Sequence, residues 1–336
     1  MAERVGEALV LGFRGTRLPG WLREFESRFG LGGVLLFDYD VTRKQLGRNI
    51  ESPGQVQALC AELAALPSRP LVMVDQEGGK VRRLKESLGF ASLPSAETFA
   101  QLPPEERIGL ALTSFTEMAR LGIQYNLAPV VDLNFNPKNP DIGAHGRSYS
   151  VDPAVVKACV EAMNAAAREA NLGLCLKHYP GLGGAVTNSH EELTDISDSI
   201  HQAQLDLFFD LAMSVHGEAI LVSHGYVRQW DSDLPVSMSR AAMGALRAKL
   251  PRVLLISDDL QMQGLRKAYP TDEALKLGLA AGLDLLIVGN NLLDEESSSF
   301  NLASGLEEAV ARDSHLAENL RAAATRVRDR KARLAR

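Results

Sequence analysis

Eight short apolar runs divide this chain, at residues 8–13, 33–37, 71–75, 125–131, 173–177, 219–223, 253–257 and 283–288. Several are unbroken Val/Ile/Leu segments rather than alternations, the pattern of parallel strands covered on both faces. Amphipathic stretches of helical period lie between them, clearest at 53–66, 104–121, 153–171, 200–216, 239–250 and 272–281. Proline near several of their starts suits a first helical turn. Strand and helix alternating in this way predict a (β/α)8 TIM barrel with some irregularity. The competing architecture is an open doubly wound sheet, but no Gly-x-Gly-x-x-Gly follows the first strand, which weakens a dinucleotide-binding version of it. Linkers and low-complexity stretches are absent, so 1–336 reads as a single domain with a terminal helix at about 313–336. The locally basic run 321–336 reads as the solvated face of that helix.

A composition 46% hydrophobic and 23% charged gives a 336-residue chain ample material for a large core. The net charge of −6 argues against general nucleic-acid binding, which needs a basic surface. Cys60, Cys159 and Cys175 fit neither a disulfide framework nor a metal motif and read as reduced core thiols. No run of about 18 apolar residues exists and the N-terminus does not read as a signal peptide, so a cytoplasmic protein without a membrane segment is expected.

Chemistry concentrates where the runs end. After 173–177 come Lys177 and His178, then a Pro-Gly-Leu-Gly-Gly loop ending on Asn188-Ser-His190. A strand end with two basic side chains and a Gly-rich loop carrying a histidine is how barrel enzymes deliver groups to a substrate. His190 is the candidate proton shuttle, because imidazole titrates near neutrality. Asp258 and Asp259 follow 253–257. A carboxylate at a barrel strand's end can serve as nucleophile, base or metal ligand, so Asp258 is given the chemistry and Asp259 the capping of the next helix. Asp75-Gln-Glu-Gly-Gly-Lys-Val-Arg-Arg83 also leaves a strand; Asp75 can accept hydrogen bonds from sugar hydroxyls and Arg83 can donate a fork of them, against the plainer reading of a loop ion pair. Arg147 reads as ligand-facing, His145 and His224 as peripheral or structural. No His/carboxylate spacing supports a metal site.

Taken together these segments resemble the single-domain β-N-acetylhexosaminidases of glycoside hydrolase family 3. The resemblance rests on Asp75-Gln-Glu-Gly-Gly-Lys-Val-x-Arg83; on Leu127-Ala-Pro-Val-Val-Asp132 with Ile142-Gly and Arg147-Ser-Tyr-Ser-x-Asp-Pro153; on Lys177-His-Tyr-Pro-Gly181 with Ser189-His190; and on Ser257-Asp-Asp-Leu-x-Met262, supported by Pro235-x-Ser-Met-Ser239 and Ala281-Gly-Leu-Asp-Leu285. It runs from about residue 6 to about residue 292, and the motifs come in the family's order. The resemblance implies a retaining hydrolase of terminal β-linked N-acetylglucosamine. Asp258 would be the nucleophile, His190 the general acid/base, and Asp75, Arg83, Arg147, Lys177 and His178 the sugar-holding residues. It further implies muropeptide fragments of cell-wall recycling as substrates, with no metal and no organic cofactor.

The chain departs from the family pattern in three places. Asn188 stands where the family has an Asp that orients the histidine, Leu182 and Gly184 replace further polar loop residues, and the segment before Arg147 is about two residues longer. An amide at 188 orients the imidazole without stabilising its cation, unless Glu191, Glu192 or Asp195 supplies the charge. Phosphorolysis of the same glycosides, and a catalytically weakened sugar-binding homologue, therefore stand beside hydrolysis as alternatives.

Overall fold

The computed structural model describes residues 3–188, 192–293 and 296–335. Its centre is a closed ring of eight parallel strands in chain order. They are β1 (Leu9–Leu11), β2 (Gly33–Leu36), β3 (Leu71–Val74), β4 (Tyr125–Asn126), β5 (Gly173–Tyr179), β6 (Ala219–Val222), β7 (Leu254–Asp259) and β8 (Leu285–Val288). The ring closes where β1 pairs with β8, Leu9 opposite Leu286. All eight expected runs are strands. β4 is shorter than its apolar run because Pro129 has no N–H to donate; beyond it only Val130 bridges to Lys177. The (β/α)8 barrel is thus the observed architecture.

Side chains alternate across each strand, and the alternation sorts them into two apolar layers. Val10, Leu35, Met73, Tyr125, Cys175, Leu221, Leu254, Ile256 and Ile287 fill the lumen. Val34, Val72, Leu174, Ile220, Leu255 and Leu286 face outward and pack under the helices. The expected helices are observed as Pro53–Ala64, Pro104–Leu121, Pro153–Ala170, Gln202–Ala212, Arg240–Lys249 and Thr271–Ala281. Ser52 and Asp152 cap two of them from the position before proline, and Ser239 caps another. Gly20–Phe29 and Ser298–Arg312 form two helices that the periodicity did not single out. The three cysteines are free and buried.

The terminal helix, Ser314–Leu334, presents only part of its basic run to solvent: Arg321, Arg328 and Arg333 are exposed, but Arg330 is buried. The helix closes the barrel floor. Val327 and Leu334 join the lumen cluster, and Arg330, only 4% exposed, donates to the Glu218 and Arg252 carbonyls and pairs with the Glu218 carboxylate at 3.1 Å. Lys331 donates to the carbonyls of Leu31 and Ser68. Burial lowers its ammonium to about 8 against the opposing pull of Glu7 and Glu26. Strand starts leave carbonyls pointing down, and long cationic side chains reach them while burying their stems. The solvated-face reading of 321–336 holds for Arg321, Arg328 and Arg333 and is corrected for Arg330 and Lys331.

Candidate active site

The loops leaving the strands' C-terminal ends enclose a cavity of about 230 Å³. Asp75, Arg83, Arg147, Lys177, His178 and Asp258 all line it, so the structure brings together every described residue singled out above as nucleophile or sugar holder. His190 lies outside the described residues. Asn188, just before it, is half-buried and its carbonyl accepts the Glu192 N–H at 3.0 Å.

Alternation places the nucleophile candidate. Leu254 and Ile256 point into the lumen, and two residues further β7 carries Asp258 into the cavity mouth. Its Oδ1 accepts the Asp259 N–H at 2.8 Å. Asp259 does not cap a helix as expected: the next one, Gln263–Arg266, is preceded by Met262. Instead Asp259 Oδ1 accepts the N–H groups of Gln261 and Gly289, pinning its own turn to the end of β8. Burial pushes the Asp259 carboxyl up to about 6, further raised by Asp258 and opposed by those two N–H groups.

Opposite β7 a chain of charge spans β3 to β5. Lys177 Nζ lies 2.8 Å from Asp75 and 2.6 Å from Glu77. Arg83 reaches Asp75 at 3.4 Å, and Arg147 grips Glu77 with two parallel 2.8 Å bonds. Arg147 Nη2 is also 3.2 Å from His178 Nε2, while His178 Nδ1 is 2.7 Å from Asp132. Asp132 only accepts and Arg147 only donates, which assigns the imidazole proton to Nδ1. The Lys177–His178 peptide is cis, and both side chains face the cavity.

The charge states follow from competition. Burial alone would raise Asp75, but Lys177 and Arg83 outweigh it and hold its carboxyl below the usual range. Glu77 is held well below it by Arg147 and Lys177 against the same burial. Burial would lower Lys177 and Arg147, yet the carboxylates hold both cations above their usual values. Asp75, Glu77, Lys177 and Arg147 are therefore each held in the charged form, a set of aimed donors and acceptors.

Glu77, Asp132 and Asp141 are site residues that the sequence reading did not single out. A signal for Glu77 existed: Gln76–Gly78 pairs with Val81–Arg82 as a hairpin, and alternation puts 75, 77, 81 and 83 along one face. Asp132 anchors the β5 loop, accepting the N–H of His178 at 3.3 Å and of Leu182 at 2.8 Å. The segment before Arg147 is tied down by buried Asn139, which donates to the Leu182 carbonyl. Arg147 Nη1 bonds the Asp141 carbonyl at 2.8 Å. His145 is exposed beside Lys80.

The β5 loop packs closely against its neighbours. Leu182 is buried and lines the cavity, and a Cβ at Gly183 would meet the Leu133 carbonyl at 1.9 Å. Further on, Glu192 backbone rests on Gly264, where a Cβ would meet it at 2.5 Å. Asp195 is not available to this site: Arg228 and Ser197 occupy its carboxylate on the outer side of the loop. His224 is buried beside β7; its Nδ1 meets Ser237 Oγ at 2.8 Å. Burial keeps that imidazole below its usual value, with Asp258 pulling the other way. Among the described residues no cluster of three His, Cys, Asp or Glu is placed to hold a metal ion.

A strand-end carboxylate facing an ionised cluster across a barrel mouth stands where barrel enzymes carry their active sites. The chain matches the "Glycosyl hydrolase family 3 N terminal domain" over residues 23–334, and it belongs to that family. A β-hexosaminidase of Pseudomonas aeruginosa is 30% identical over 302 residues, covering 88% of this chain and 86% of the relative. The structure of a β-N-acetylhexosaminidase from Beutenbergia cavernae superposes with a TM-score of 0.83 at 25% identity, covering 98% and 97% of the two chains. A family 3 β-N-acetylglucosaminidase from a Paenibacillus species gives a TM-score of 0.84 at 26% identity; this chain spans 62% of that longer protein. Among the described residues no helix is long and apolar enough to cross a membrane.

Proposed function

We propose that the protein is a retaining hydrolase of terminal β-linked N-acetylglucosaminides. The observation that carries this reading is the position of Asp258, a carboxylate at the end of β7 lining the cavity across from the Asp75–Lys177–Glu77–Arg147 cluster. The cluster takes the sugar hydroxyls, with Arg83 and Lys177 donating and Asp75 accepting, and so fixes the anomeric carbon over Asp258. Asp258 attacks that carbon while His190 gives its proton to the departing oxygen, leaving a covalent glycosyl-enzyme. His190 then takes a proton from water, which attacks the same carbon and releases Asp258. A histidine in this role replaces the second carboxylate of the usual retaining pair. The Pseudomonas and Beutenbergia relatives support an amino sugar and the Paenibacillus β-N-acetylglucosaminidase supports N-acetylglucosamine in particular, and we take muropeptide fragments in the cytoplasm as the natural setting.

Release of nitrophenol from the β-N-acetylglucosaminide and the β-glucoside, by wild type and by Asp258→Ala, tests the reading. Preference for the former and its loss in the variant are expected. Turnover that survives Asp258→Ala removes the nucleophile assignment, and preference for the glucoside removes the sugar assignment.

A further inference from the structure

The cavity wall changes character around its rim. Toward β3, β4 and β5 it is charged. Toward β2 and β8 it is apolar: Leu35, Phe37 and Ile287 deep, then Tyr39, Val41 and Leu292 at the mouth. Among the described residues eight large apolar side chains are exposed, and three of them line this mouth, Tyr39 at 38%, Val41 at 42% and Leu292 at 36%, with Leu46 at 58% beside Tyr39. Tyr39 and Leu46 are cross-strand partners in the hairpin that Tyr39–Asp40 makes with Gln45–Leu46. Exposed apolar residues scattered singly need no explanation, but a contiguous set at the edge of a binding cavity does.

This rim is also held firmly. Asn291 accepts the Val41 N–H and donates to the Tyr39 carbonyl, both at 3.0 Å, so the loops after β2 and β8 are clamped by one amide. Beneath the hairpin Asp40 is buried, with Arg48 at 2.9 Å and Arg14 at 2.7 Å. Arg48 is itself fully buried and also donates to the Asn290 carbonyl. Buried, doubly paired charge under a loop fixes its geometry, unlike a frayed loop tip.

A cavity of about 230 Å³ lies below the roughly 300–1,000 Å³ of drug-sized sites, and it suits one sugar ring. Whatever is bonded to that sugar's anomeric oxygen must leave past the rim. We propose that Tyr39, Val41 and Leu292 form a leaving-group subsite that selects aglycones presenting an apolar face, for which alkyl chains are the simplest probe. The proposal rests on the glycosidase reading and adds to it the class of leaving group.

The test is a homologous series of methyl, butyl, hexyl and octyl β-N-acetylglucosaminides, with kcat/KM read from released sugar. Wild type is expected to gain roughly two- to threefold per methylene over the first few carbons, below the about fourfold that complete burial of a methylene allows. The near-isosteric Val41→Thr and Leu292→Asn variants are expected to flatten the series. The readout is the octyl-to-methyl ratio, so a general loss of activity or folded fraction cancels. A flat wild-type series, or variants as steep as wild type, overturns the subsite while leaving the activity standing. If no member is cleaved, the activity reading fails instead. The same series is then followed by calorimetric binding, where affinity that does not grow with chain length overturns the rim.

Discussion

Replacing Lys177 with methionine isolates the ion cluster, because methionine keeps most of the stem and removes only the charge. Lys177 is 3% exposed and bridges Asp75 and Glu77 at 2.8 and 2.6 Å. Removing one member of a buried ion pair costs about 3–5 kcal/mol, since the remaining charge is left underpaired. Unfolding entropy of about 2.1 cal/mol/K per residue gives about 0.7 kcal/mol/K for 336 residues, so Tm should fall by roughly 4–7 °C. The loss should depend on pH with a definite sign. Asp75 and Glu77 are held below their ordinary values in the folded state, so their contribution is full above the unfolded carboxyl range near 4 and fades as pH falls. In the variant both carboxyls rise, and protonation of one relieves the pair. The Tm deficit should therefore be full at pH 7.5 and narrow by pH 4.5, as read by differential scanning calorimetry at both. A deficit below about 1 °C at pH 7.5, or one equal at the two pH values, refutes the cluster's assigned charge state.

Three other perturbations bear on separate parts of the molecule. Asp259, raised to about 6 mainly by burial, favours its protonated form in the folded state, so wild type should lose on the order of 2 kcal/mol as pH climbs through 4 to 6. Asp259→Asn should lack that fall in urea titrations, and parallel pH profiles would count against it. Arg330→Met leaves the Glu218 carboxylate and two carbonyls at the barrel floor without their buried donor, and should cost about 2–4 kcal/mol; an unchanged urea midpoint would show the terminal helix to be dispensable. Asn188→Asp should raise kcat and extend activity to higher pH by stabilising the His190 cation, and an unchanged profile would separate residue 188 from the acid/base role.

The barrel could be read from the chain because both-face burial leaves continuous apolar runs, and no competing pattern explains eight of them. The two unforeseen helices depend on tertiary contact instead: Phe25 and Phe29 of one stack edge-on against Phe300 of the other, at 5.5 and 6.2 Å. Neither segment is strongly helical by itself, with Gly20, Trp21 and Ser27 in one and three serines and a glycine in the other. Asp258, Lys177 and His178 could be read because each stands at the end of its apolar run. Glu77 required knowing that its loop is a hairpin, and the floor of the barrel required knowing that Arg330 and Lys331 meet strand-start carbonyls. The apolar rim has no local signature, because Tyr39 and Val41 lie some 250 residues from Leu292.

That separation in sequence has a mechanical meaning. The amide clamp at Asn291 spans the seam where the first and last strands complete the ring, with β1 lying between the two loops it joins. A molecule resting on Tyr39 and Leu292 would therefore touch both ends of the polypeptide's circuit at once, acting as a latch across the one junction that forms last in chain order. Occupancy of the mouth would slow unzipping from either terminus, and amide exchange in β1 and β8 would report it before exchange in the strands that hold the charge cluster.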